Sequence, residues 1–510
     1  MDRSFLCIPI FFIVTILSVT RVIASGICKR NCETVSRSFL DVRPPFLSAS
    51  PERVSMFRSE QIHSCVNGYN SALQIVPMGS ASLDTSRTAR YFSPICNQSF
   101  IVDENPAVVD KDVLSQHFNV ITKNGDFRSR VSFAPQQTFF GIGFEYRQEW
   151  LRKSDYNKGC WVSVSSVLQY VRNTIGLREH IINDGGGANI MADPSAVGSM
   201  TQAFNQSAWK FGHIVQGTRE KTGFADIELR IGYEWLNCTP YHLESYVGLL
   251  IPTSDKANGR ILFQPLVGNG KHWGFLFGSK AGLDVADLTD YGIHIRMELA
   301  NHTQFLLSDH QTRALDLKNR PWSRYIELYA DQMQAQQAAL FNDVYVSTPG
   351  INLFTRDVTV KPGIANTVNT AFVITWRAVY TEGGYNVYVR SADSVSLCKP
   401  WQEGPAIKAL NGQGQTNPVR TIAGQPLIEQ IAVPLEQYAS SVIHESDLDL
   451  QTATHPCTVL QTLYGVLGYS WDTKHPLFAS VGASYMFTNA AHATAALPRW
   501  IVWGKLAVAF

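Results

Sequence analysis

Pro498 to Phe510 reads P-R-W-I-V-W-G-K-L-A-V-A-F, and its residues sort onto two unlike faces. A β-strand turns successive side chains to opposite sides. One side carries Trp500, Val502, Gly504, Leu506, Val508 and Phe510. The other carries Arg499, Ile501, Trp503, Lys505, Ala507 and Ala509, and with them both charges. Such a strand suits a sheet standing between an apolar medium and a polar interior.

The same two-residue period recurs upstream in Phe127–Phe133, Phe140–Tyr146, Trp161–Arg172, Gly223–Leu236, Tyr241–Ile251, Trp273–Leu283, Tyr291–Leu299, Phe372–Tyr380, Tyr385–Arg390, Val459–Trp471 and Leu477–Phe487. With the closing strand these make twelve segments, an even number as in single-chain bacterial membrane barrels. About nine to eleven tilted residues cross the hydrocarbon layer. The breaks alternate in length. Short ones, among them Asp472–Pro476 and Glu382-Gly383-Gly384, fall at one end, and long ones such as 173–222, 301–370 and 391–458 at the other. Only the short break at 134–139 departs from this sidedness. Trp150, Trp235, Tyr241, Tyr380, Tyr385, Trp471 and Phe510 gather at the short-turn end, with Trp273, Phe487 and Trp500 near the other, as two aromatic girdles would. The expected fold is all-β: one antiparallel transmembrane β-barrel of about 12 strands, with long outer loops and a short helix over Asp331–Asp343 in one of them.

Composition agrees. The chain of 510 residues has 43 basic and 42 acidic side chains, which gives no basic surface for nucleic acid. Charged residues are 17% of the total, against about 25% in ordinary soluble proteins. Residues 1–25 read as a cleaved secretory signal peptide, with Arg3 before the apolar run Phe5–Val19. Residues 26–125 show weak periodicity and read as a periplasmic or plug segment, or as extra strands, leaving 126–510 for the barrel. Outside the signal, eight cysteines permit disulfides in an exported chain. Cys28–Cys32, Cys65–Cys96 and Cys398–Cys457 are the candidate bridges. No spacing suggests a metal site or a cofactor.

The closing strand resembles the C-terminal recognition strand of Gram-negative outer-membrane barrels of the porin kind, in Trp500, Leu506, Val508 and Phe510. That resemblance implies recognition of this strand by a barrel assembly machinery and surroundings of outer-membrane lipid and lipopolysaccharide. Gly223-Phe224-Ala225-Asp226 and Pro252-Thr253-Ser254-Asp255 are similar to the G-x-G-D and P-T-G-D motifs of an outer-membrane family linked to the meta-pathway of phenol degradation, thought to be transporters. One glycine of each motif is replaced here, and the match covers only this short stretch.

If the apolar faces meet lipid, the opposite faces line the interior. They carry Glu145, Arg147, Asp226, Glu228, Arg230, Glu234, Glu244, Lys280, His294, Arg296, Glu298, Arg377, Arg390 and Lys505. Charges so dense either surround water and bias solute passage or pair across strands and fill the barrel. The expected function is a passive channel for small polar solutes or ions, oligomeric state open, with no catalytic residues. The rival is a surface interaction protein whose outer loops bind a partner. A barrel-scaffolded lipid enzyme is a further alternative, without the Ser-Asn-Gly signature of outer-membrane phospholipases.

Overall fold

The computed structural model describes residues 36–510 except 57–70, 106–107, 109, 154–157, 239, 336–346, 408–418, 421–425, 429–441, 472–474 and 489–494. Twelve strands close into an antiparallel barrel: β1 (Ser71–Ser82), β2 (Gln136–Lys153), β3 (Lys158–Thr174), β4 (Ile227–Cys238), β5 (Tyr241–Ile251), β6 (Gly274–Leu288), β7 (Ile293–Leu306), β8 (Ala365–Trp376), β9 (Val379–Arg390), β10 (Thr458–Trp471), β11 (Leu477–Phe487) and β12 (Arg499–Ala509). Each pairs with its chain neighbours, and β1 closes the ring on β12, with Ala72 opposite Ala509 and Ser82 opposite Arg499. Thr218–Phe224 prolongs β4 beyond a break at Ala225-Asp226 and pairs with the far half of β3. Closure removes every sheet edge, so no backbone group need face an apolar medium unpaired.

Alternation divides the strands as the sequence suggests. Outward stand Phe140, Ile142, Leu229, Ile231, Val247, Leu249, Phe275, Phe372, Ile374, Leu467, Val481, Val502 and Leu506, all exposed. Trp500 and Phe510 are exposed on the same side, and Val508 is half-buried there. Trp150, Trp235, Trp376 and Trp471 ring the end with the short turns. Tyr380 leaves the expected girdle, because it points inward and meets the Phe478 ring edge-on at 5.5 Å.

Three expectations need correction. Phe127–Phe133 is not a barrel strand: Arg128–Ser132 lies in a four-stranded sheet outside the barrel, with Phe127, Val131 and Phe133 buried beneath it. Its alternation is real, but seven residues are too few to cross a bilayer. Its place in the count is taken by β1, within the stretch left open as plug or extra strands. Glu382-Gly383-Gly384 is not a turn. The hairpin bends at Arg377-Ala378, where Arg377 has φ 54°, and the two glycines lie within β9. Gly384 is there for room, since a Cβ would stand 2.4 Å from the Tyr464 ring. Finally, Cys398 is a free thiol, so it forms no bridge with Cys457, which is itself disulfide-bonded. The proposed signal peptide, Cys28, Cys32, Cys65 and most of the Asp331–Asp343 helix also lie outside the described residues.

The long connections are not loose. Segments between strands at the loop end fold together over the barrel around one aromatic core. At its centre Trp322 lies within 6.0 Å, ring to ring, of Phe100, Phe118, Phe133, Phe204 and Tyr325, and its indole N–H donates to the Phe92 carbonyl at 2.7 Å. This cap covers the end opposite the short turns.

Candidate functional site: a charged lumen and its plug

The interior is built from the inward positions of the strands, and the N-terminal segment runs through it. Residues 36–41 lie in the cap: the Ser36 hydroxyl donates to the Phe92 carbonyl at 3.0 Å, and Ser38 pairs through its backbone with Thr452 at 2.9 Å. From there the chain descends between the walls. Phe46 packs over Gly143, where a Cβ would meet its ring at 2.8 Å; only a glycine lets the segment come so close to β2. Ser48 donates to Glu228 at 2.8 Å, and Asn386 of β9 donates to the Ala49 carbonyl at 2.9 Å. A helical turn at Pro51–Val54, with proline at its start where a missing N–H costs nothing, brings Arg53 to the charged part of the wall.

Arg53 is the plug's main anchor. It meets Glu145 at 3.0 Å and also pairs with Glu228. Glu145 in turn pairs with Arg230 and accepts from the Gln74 amide at 2.7 Å. Lys505 donates to the backbone carbonyls of Arg53, at 2.8 Å, and Ser55. Glu382 accepts the Met56 N–H at 3.0 Å and the Tyr464 hydroxyl at 3.0 Å. The three-way contacts meet the condition under which charges can stay buried: opposite partners and satisfied lone pairs.

A second network lies nearer the turn end. Arg147 bonds both Glu244, at 2.9 Å, and Glu234, at 3.2 Å, while Lys280 stands 3.5 Å from Glu244. The Arg147 guanidinium also lies 4.2 Å above the Trp161 ring. Glu234, His242 and Glu244 bring ligand atoms within 4.8 Å of one another, the geometry a cation could use. Arg147 and Lys280 already supply the positive charge there. At the rim, Arg296 meets Glu298 at 2.7 Å and Asp284 at 3.5 Å, and His294 approaches Asp284 at 3.2 Å.

At the loop end Arg390 pairs with Asp41 of the plug and meets Asp393 at 2.7 Å. The expected interior residues therefore fall into two networks, a rim and a latch, with two exceptions. Arg377 lies exposed in the β8–β9 turn, stacked toward Trp376. Asp226 is buried at the joint above β4, where it accepts the Asn269 N–H at 2.8 Å and side-chain amide at 2.7 Å. There the Thr253 hydroxyl donates to the Ala225 carbonyl at 3.0 Å, so the two motif-like stretches meet. Sequence reasoning missed Arg53 and Glu382, the first for want of periodicity around it and the second because it was read as a turn.

Many inward polar atoms have no hydrogen-bond partner in the protein. Among the described residues these include Gln74 Oε1, Ser163 Oγ, Gln169 Nε2, Asn386 Oδ1, Thr462 Oγ1 and Ser480 Oγ, on five different strands. Buried polar groups of natural proteins are nearly always satisfied, by protein or by water. Water entering the lumen would satisfy groups of this kind.

A closed antiparallel sheet with an apolar outside and a charged inside is a membrane-spanning β-barrel. No family model matches the chain, and no curated protein matches it. Among solved structures it is similar to the COG4313 outer membrane channel from Pseudomonas putida F1, at 7% identity over 89% of this chain and 99% of that one, with TM-score 0.38. It is similar also to the transport unit of the autotransporter AIDA-I from Escherichia coli, at 6% identity over 90% and 93%, with TM-score 0.31. A Pseudomonas aeruginosa FadL homologue matches at 8% identity over 87% and 90%, with TM-score 0.26. Likenesses this distant carry no argument about what the barrel does.

Proposed function

We propose that this protein is a bacterial outer-membrane channel for small polar solutes or ions, closed at rest by residues 36–56. The reading rests on the polar atoms along the inward wall that neither the plug nor the strands satisfy. A barrel that served only as an anchor gains nothing from unmet polar groups inside it, and would be filled by apolar packing or complete pairing. The plug is held chiefly by ion pairs and hydrogen bonds, which water can replace when it leaves. No reaction is required of the chain.

Planar-bilayer recording tests this. Wild-type protein is expected to be closed most of the time, and a variant lacking 36–56 to show large, steady currents. A deletion variant that keeps heat-modifiable gel mobility, hence an intact barrel, yet passes no current would sink the channel reading. The folded cap supports a second reading, in which the barrel displays a binding surface; that reading predicts partner binding by the same current-less variant.

A further inference from the structure

Two arginines stand out from the paired charges of the lumen. Arg43 of the plug is 6% exposed and Arg499 of β12 is 3% exposed. The Arg499 guanidinium donates through Nη2 to the Arg43 backbone carbonyl at 2.7 Å, which ties the two residues together. Arg43 lies over the Tyr388 ring at 5.0 Å, and Arg499 over the Phe139 ring at 5.3 Å. These faces hold the guanidinium planes without using their N–H groups. Both Nη atoms of Arg43 and Nε of Arg499 are buried with no hydrogen-bond partner among the described residues. The acidic group that acts on both is Glu52, and its Oε1 is engaged by the Phe46 N–H at 2.8 Å. Two positive charges therefore share one negative one in a buried place. The other described lumen arginines meet a carboxylate directly, as Arg53 and Arg147 do.

An unpaired buried guanidinium is costly, whereas one matched by an oxyanion gains short, charge-assisted hydrogen bonds in a fork geometry. We propose that Arg43 and Arg499 form a binding site for a small oxyanion, phosphate-like or carboxylate, at the seam between plug and wall. The ligand is a free anion and not a lipid headgroup, because both arginines face the inside of the barrel. Since one arginine belongs to the plug and the other to the wall, the bound anion would hold the plug in place. The site does not depend on conduction.

Inorganic phosphate is the probe, titrated by calorimetry into the full-length protein in detergent at constant ionic strength. Saturable one-site binding is expected, weakened about tenfold or more in Arg43→Gln and in Arg499→Gln, the loss of a charge-assisted bond. Arg219→Gln, on the exposed stretch Thr218–Phe224, should bind as wild type does. Heat-modifiable mobility identifies the folded variants, and Arg499→Lys, which keeps the charge, should retain part of the affinity. Absence of saturable binding by folded wild type would mean that water alone meets these groups, and would overturn the site. So would binding that survives both glutamine substitutions.

Discussion

Arg53 does for the plug what Arg147 does within the wall: it closes two acidic positions on two strands at once. Glu145 and Glu228 are both buried, and both lean on its guanidinium. Removing one member of a buried ionic group costs about 3–5 kcal/mol, because the partners are left uncompensated. Arg53→Ala is therefore expected to unseat the plug and raise the open fraction in bilayer recordings, with the barrel intact. Arg53→Leu should behave alike, and an unchanged open fraction would show that Arg53 does not hold the gate. Legibility at this scale followed chemistry. The inward charges of β2, β4 and β5 were readable because each alternates with an apolar neighbour. Glu382 was not, since two adjacent glycines look like a turn until the Tyr464 ring that needs the space is seen.

The elements divide into those whose reading needs only their own residues and those that need a neighbour. Most barrel strands are of the first kind. β1 is of the second: its outward face is Leu73, Ile75, Pro77, Gly79 and Ala81, and a proline within a strand argues against one. It pairs nonetheless, with its β12 register interrupted at Val76-Pro77. The plug is also of the second kind, as its form comes from the walls around it. Its outer end is tied by the Asp41 N–H donating to His455 Nδ1 at 3.2 Å, while His455 Nε2 contacts the Thr458 hydroxyl at 2.9 Å. Burial, reinforced by the Arg390 charge, pushes the His455 imidazole down to about 4; Arg313 adds to this, and Asp41 and Asp393 oppose it. The free-chain value is about 6.5. A group depressed on folding contributes its full stability above the free value and loses it as pH falls toward the folded one. Amide exchange of residues 36–43 should therefore accelerate, relative to the strands, between about pH 6.5 and 4. In His455→Asn this dependence should flatten. An unchanged pH dependence in the variant would remove His455 from the latch.

As a whole the molecule is a barrel under a separately cored cap, and that division went unread because connection length says nothing about packing. Apolar residues spread over 83–135, 175–217 and 307–364 have no common period, and only tertiary contact gathers them round Trp322. Truncating a large buried aromatic costs about 3–5 kcal/mol. Trp322→Ala is thus expected to open the cap to protease while heat-modifiable mobility of the barrel persists. Loss of both together would mean that cap and barrel are one cooperative unit. The path of residues 36–56 carries one more consequence. Ser36 sits in the cap and Met56 deep in the lumen, while β1 starts at the turn end and is itself half of the seam that closes the cylinder. The segment is threaded through a ring, not laid upon it. Once β1 and β12 are zipped, it can travel only lengthwise, like a cord through a bead, so assembly has an order: the cord must be in place, or be drawn through, when the ring is sealed.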